Sequence, residues 1–558
     1  MTVPVPRLLL SVLIAAQLTA CSSGAPVAAP TPAEPVAERT DAALAHPAPA
    51  VRAPAPAAAV SVAPVAATKI ARRPVMPMHM PAPMPVPDQP SNERYGQISD
   101  NPIHRVAEAP VSTFSVDVDT GSYSNVRRLL NGGALPPADA VRVEELINYF
   151  PYDYALPRDG RPFAVHTALA PTPWNAQRVL LRVAIKGQDV AQQNLPPANL
   201  VFLVDVSGSM ESADKLPLLR SSLKLLVDQM RPVDRISLVT YAGSTQVVLP
   251  PTSGADKAAI KAAIDGLRAG GGTAGASGIA LAYSAAQQSF IEGGINRILL
   301  ATDGDFNVGV SDTGELKKMV EQKRRTGISL STLGFGTGNY NEALMEQIAD
   351  VGDGAYSYVD NLMEGQKVLV SEMSSTLATI ARDVKVQIEF NPALVQEYRQ
   401  IGYENRQLRR EDFHNDQVDA GDIGAGHTVT ALYELTLTGA RGAIEPLRYG
   451  TASSAGAANT TELAHLRLRY KRPGQSSSEL METPIRREAM RPLDQADADF
   501  RFATAVAGFG QVLRGGRHTG GWTVTDARAL AAGSVGEDRF GYRGEFLRLA
   551  GLAQALAK

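Results

Sequence analysis

Residues 199–210 read NLVFLVDVSGSM, in which consecutive apolar side chains from Leu200 to Val204 are closed by an acid and then by a loop of small residues. A run that short, β-branched at its end and stopped by Gly208, has no polar face to turn outward. It therefore reads as a strand buried on both sides, as in a parallel sheet covered by helices. Asp205 then stands at the strand's carboxyl edge, where open α/β sheets place their ligand sites, and the hydroxyls of Ser207 and Ser209 follow it. Taken alone, an Asp and two Ser after a strand also describe a turn and helix cap.

The Asp-x-Ser-x-Ser pattern resembles the metal-ion-dependent adhesion site of von Willebrand factor type A domains, and two further pieces occur downstream in the family's order. The loop Gly270-Gly271-Gly272-Thr273 supplies a threonine, and the apolar stretch Arg297 to Thr302 ends in Asp303-Gly304, supplying a second acid. The resemblance implies a divalent cation held by Asp205, Ser207, Ser209, Thr273 and Asp303, with an acidic side chain of a protein partner completing the shell. An oxygen-only donor set selects a hard ion, Mg²⁺ first, with Ca²⁺ and Mn²⁺ as alternatives. Three neutral oxygens and only two carboxylates leave such an ion electrophilic.

The single cysteine, Cys21, follows Arg7 and an apolar run from Leu8 to Ala16. That run is too short to cross a bilayer as a mature helix, so residues 1–20 read as a signal peptide. Leu18-Thr19-Ala20-Cys21 resembles the bacterial lipobox, which implies a lipid on Cys21 and anchoring in the cell envelope. Ser22 after the cysteine resembles the outer-membrane sorting pattern. Residues 21–91 are rich in Ala and Pro, a composition that favours extended polyproline II and serves as a tether. A net charge of -3 without a basic stripe argues against nucleic-acid binding.

The rest of the chain divides by the period of its apolar residues. Residues 92–198 hold helical patterns and then alternating strands, among them Val179, Leu181, Val183 and Ile185. In one helical pattern Val143, Leu146 and Ile147 share a face, with Glu144 and Glu145 on the other. Residues 199–381 alternate strand and helix, implying a doubly wound, mostly parallel sheet. Alternation returns over 382–490, and 491–558 is helical. One-sided strands on both flanks predict an antiparallel β-sandwich into which the α/β domain is inserted, with a small helical part at the end and the Asp205 edge pointing away from the sandwich. The stretch 112–150 resembles the N-terminal region of a bacterial lipoprotein family with a central von Willebrand A domain, and the last helices resemble that family's C-terminal domain. These features together predict a lipid-anchored binding protein and not an enzyme. Two alternatives stand beside it. Asp119-Thr120-Gly121-Ser122 copies the aspartic-protease tetrapeptide but lacks a second copy, and the site offers no His or Glu base for metal-dependent hydrolysis. The ion could also serve only to pin loops.

Overall fold

In the computed structural model, residues 93–272, 275–304, 313–445 and 461–557 are described; the expected lipid site Cys21, the tether and Thr273 lie outside them. The central sheet has six strands in the order Tyr356–Val359, Ser329–Phe335, Ile295–Thr302, Ala198–Asp205, Arg235–Tyr241 and Thr245–Ser253. All neighbours are parallel except the last pair, which forms an antiparallel hairpin. Every residue of Ala198–Asp205 is buried. Strand alternation sends Leu200, Phe202 and Val204 against helices Leu216–Gln229 and Lys257–Asp265, while Val201 and Leu203 meet Gly275–Gln288 and Thr313–Arg324. Each such side chain contributes about 1.5–3 kcal/mol by leaving water.

Two antiparallel sheets flank this unit in sequence and face each other in space. One runs His104–Arg105, Val395–Ile401, Thr428–Leu437, Asn175–Gly187 and Phe163–Thr172; the other contains Ile423–Gly424, Thr379–Phe390, Glu462–Lys471 and Ser478–Arg486, with Val111–Ser115 beside Thr379–Phe390. Strand Asn175–Gly187 precedes the α/β domain and Thr428–Leu437 follows it, yet they pair directly, Val183 opposite Ala431 and Val179 opposite Leu435. The insertion is thus explicit in the hydrogen bonding. The chain leaves and rejoins the sandwich at neighbouring points, since a Cβ on Gly187 would lie 2.8 Å from Ile380 Cδ1.

Three sequence expectations need correction. The strand Asn175–Gly187 is not half-exposed, because residues 179–185 are all buried. Val179, Leu181, Val183 and Ile185 fill the sandwich, whereas Leu180 and Ala184 enter a second core beneath a helical layer. That layer is more than a C-terminal cap. Gly121–Asn131 and Val143–Asn148 join Ala498–Leu513, Val524–Ala532 and Tyr542–Leu556 in it, bringing Leu146, Phe150, Phe502 and Phe546 together. Lastly, Glu144 and Glu145 do not face solvent; they are 1% and 0% exposed, and the Arg142 guanidinium lies 3.3 Å from Glu145.

The sandwich meets the α/β domain at the edge opposite Asp205. Arg406 of the sandwich reaches Asp350 at the end of helix Glu342–Val351, and Arg324, closing helix Thr313–Arg324, bonds Asp419. Arg127 ties the helical layer to the α/β domain by pairing with Asp360, Glu364 and, in the last helix, Glu545.

Candidate metal centre

Three loops converge beyond the carboxyl ends of the central strands. Val206 donates to Tyr241 O, Gly270 to Val206 O and Gly208 to Gly271 O, so backbone bonds fix the loop after Asp205 against its neighbours. Gly271 has φ +85°, and a Cβ there would stand 3.2 Å from Gly243 N, so this close left-handed turn needs glycine. Asp303 follows the next strand, and Gly304, at φ +86°, packs where a Cβ would come 2.7 Å from Asn341 N.

Four of the five residues expected to hold the ion are described, and all four lie at this edge. Asp205 and Asp303 are fully buried, Ser207 nearly so, and Ser209 is exposed at the rim. The Ser207 and Ser209 hydroxyls are 3.0 Å apart. Asp205 Oδ1 accepts the Ser207 N–H at 2.8 Å and its Oδ2 accepts the Thr302 hydroxyl at 2.8 Å. Burial pushes the Asp205 carboxyl up to about 6; the bonds from Ser207 oppose that shift and the nearby Asp303 charge adds to it. Carboxylates and hydroxyls that share a desolvated floor and open to an exposed rim suit a hard divalent cation, whose charge would relieve the repulsion between the acids. Among the described residues no cluster of three or more His, Cys, Asp or Glu is placed to hold a metal, so a site here relies on the mixed hydroxyl and carboxylate set.

The structure adds residues that the sequence pattern did not reveal. The Lys215 ammonium donates to Asp303 Oδ2 and to Asn339 Oδ1, each at 3.0 Å. Asn339 also donates to Asp303 Oδ2 at 3.3 Å. Tyr241 lies beside Asp205, and burial first, then that charge, holds its phenol well above the usual range. Thr302 was visible as the last residue before Asp303. Nothing in a linear pattern joins Lys215 or Asn339 to the site, because they arrive from a helix start and a distant loop.

Asp119, of the protease-like tetrapeptide, is engaged on both oxygens: Oδ1 accepts the Tyr356 N–H at 2.8 Å and Oδ2 accepts from Arg406 at 3.0 Å. It is 4% exposed, and burial together with the Asp117 charge raises its carboxyl. Thr120 precedes helix Gly121–Asn131 without capping it through its side chain.

A family model for the von Willebrand factor type A domain matches residues 199–371, one described as von Willebrand factor matches 89–182, and one described as the C-terminal part of uncharacterized protein YfbK matches 375–556. YfbK of Escherichia coli strain K12 is 53% identical over 476 residues, which cover 84% of this chain and 82% of that protein. The chain belongs to this bacterial family, in which a von Willebrand A domain is joined to a YfbK-type C-terminal domain. A shorter match, 30% identical over 168 residues and 29% of each chain, is to the magnesium-chelatase 60 kDa subunit of Rhodobacter capsulatus. Among solved structures, a von Willebrand factor type A protein from Catenulispora acidiphila covers 70% of this chain and 91% of its own at 17% identity and TM-score 0.41.

Proposed function

We propose that this protein is a lipid-anchored component of the bacterial cell envelope, at the outer membrane, that captures a protein partner through a divalent cation. Asp205, Ser207, Ser209, Thr273 and Asp303 would hold the ion, Mg²⁺ first, and an acidic side chain of the partner would enter the remaining position. The observation that carries this reading is the placement of the site: buried Asp205 and Asp303 beneath an exposed Ser209, at the sheet edge opposite the sandwich. Among the described residues no helix is long and apolar enough to cross a membrane, so attachment in this reading rests on Cys21. Binding and not catalysis is the reading favoured here, since Asp119 already spends both oxygens on Tyr356 and Arg406.

The test is partner capture by the full chain from detergent-solubilised envelope, with and without a chelator, using wild type and Ser209→Ala. A specific band lost on chelation and lost in Ser209→Ala, with the fold intact, is expected. Capture that survives both changes would place the interaction surface elsewhere and reduce the ion to a structural role.

A further inference from the structure

Lys215 immediately precedes helix Leu216–Gln229 and is only 6% exposed. Its stem crosses Gly336, where φ is +77° and a Cβ would come 2.2 Å from Lys215 Cγ, so the absence of a side chain at Gly336 opens the channel that the lysine occupies. At its end the ammonium meets Asp303 Oδ2 and Asn339 Oδ1. A buried ammonium needs a partner. Here it has been given one of the acids expected to face the ion, although a neutral residue would avoid the competition.

We propose that Lys215 is a specificity-determining residue of the metal centre, a built-in positive charge that weakens cation binding and strengthens capture of an anionic partner. The inference rests on the metal reading above and goes beyond it. Adding one positive charge to the site makes the empty site less attractive to a divalent cation and makes the occupied site more attractive to a carboxylate. Coulomb interaction at contact range and reduced dielectric is large enough for about tenfold in each direction. Because Lys215 also grips Asn339, the same ammonium holds the loop after strand Ser329–Phe335 against the site.

The opposed signs provide the test. A merely structural lysine, once removed, would weaken both events, whereas a charge-setting lysine shifts them in opposite directions. The full chain in detergent is titrated with Mn²⁺ alone by calorimetry, and acetate is then added while water-proton relaxation reports displacement of water from the bound ion. Lys215→Met should bind Mn²⁺ about tenfold more tightly and require about tenfold more acetate, and Lys215→Arg should stay near wild type. Lys215→Gln, which keeps hydrogen-bonding atoms without the charge, carries the same expectation should the Met variant lose its fold on melting. Unchanged or weaker Mn²⁺ binding in a folded uncharged variant overturns the inference while leaving the metal site standing. No Mn²⁺ binding by wild type overturns both.

Discussion

Arg406 Nη1 lies 2.8 Å from Asp350 Oδ1, joining a sandwich loop to the end of an α/β-domain helix. The same guanidinium serves Asp117, Asp119 and Glu346. Removing it leaves several buried acids without their counter-charge, and breaking a buried ion pair in this way costs about 3–5 kcal/mol. Arg406→Ala should therefore lower the unfolding free energy by that amount, read from urea denaturation. A change within about 0.5 kcal/mol, the usual range for surface substitutions, would show that the interface does not depend on this residue.

The acid-rich contact also fixes a pH dependence. Burial pushes Glu144 up to about 8, with the Glu404 charge adding to it, and burial pushes Glu346 up to about 7 against the pull of Arg142 and Arg406. Carboxyls raised above their unfolded value near 4.5 contribute stability that is complete below that value and is lost as pH rises through 7 to 8. The melting temperature should thus fall between pH 5.5 and pH 8.5. A rise over that window would contradict the assignment.

Phe202 sits at 0% exposure in the core on one face of the central sheet. Phe202→Ala should cost about 3–5 kcal/mol, read from urea unfolding. A loss below about 1 kcal/mol would mean that the strand is not buried on both sides.

Membrane attachment is expected to depend on one sulfur. Cys21→Ser should yield uncleaved precursor or soluble protein by mass and fractionation, and unchanged mass with unchanged membrane association would mean that Cys21 carries no lipid.

Much of this architecture was legible in the sequence because burial leaves periodic marks. The unbroken run Leu200–Val204 declared a strand covered on both faces, and the alternation Val179, Leu181, Val183, Ile185 declared a sandwich strand. The same alternation misled at Leu180 and Ala184, since period two shows which face is most apolar and not whether the other is also covered. Glu144 and Glu145 misled for a related reason: an acid marks a solvent face only when packing does not cover it, and here both are buried, Glu145 against the Arg142 guanidinium. The gathering of Asp205, Ser207, Ser209 and Asp303 at one sheet edge was legible because they follow strands in fixed spacing. Lys215 and Asn339 were not, because their proximity is created by tertiary packing.

Calorimetric titration of the full chain with Mg²⁺ and Mn²⁺, wild type against Asp205→Ala, decides whether the edge at Asp205 holds a divalent cation. One saturable site is expected in wild type, weakened as pH drops below about 6 where the Asp205 carboxyl takes up its proton, and abolished in Asp205→Ala with an unchanged circular dichroism spectrum. Equal binding by the folded mutant, or no binding by wild type at neutral pH, would mean that this edge does not hold the ion.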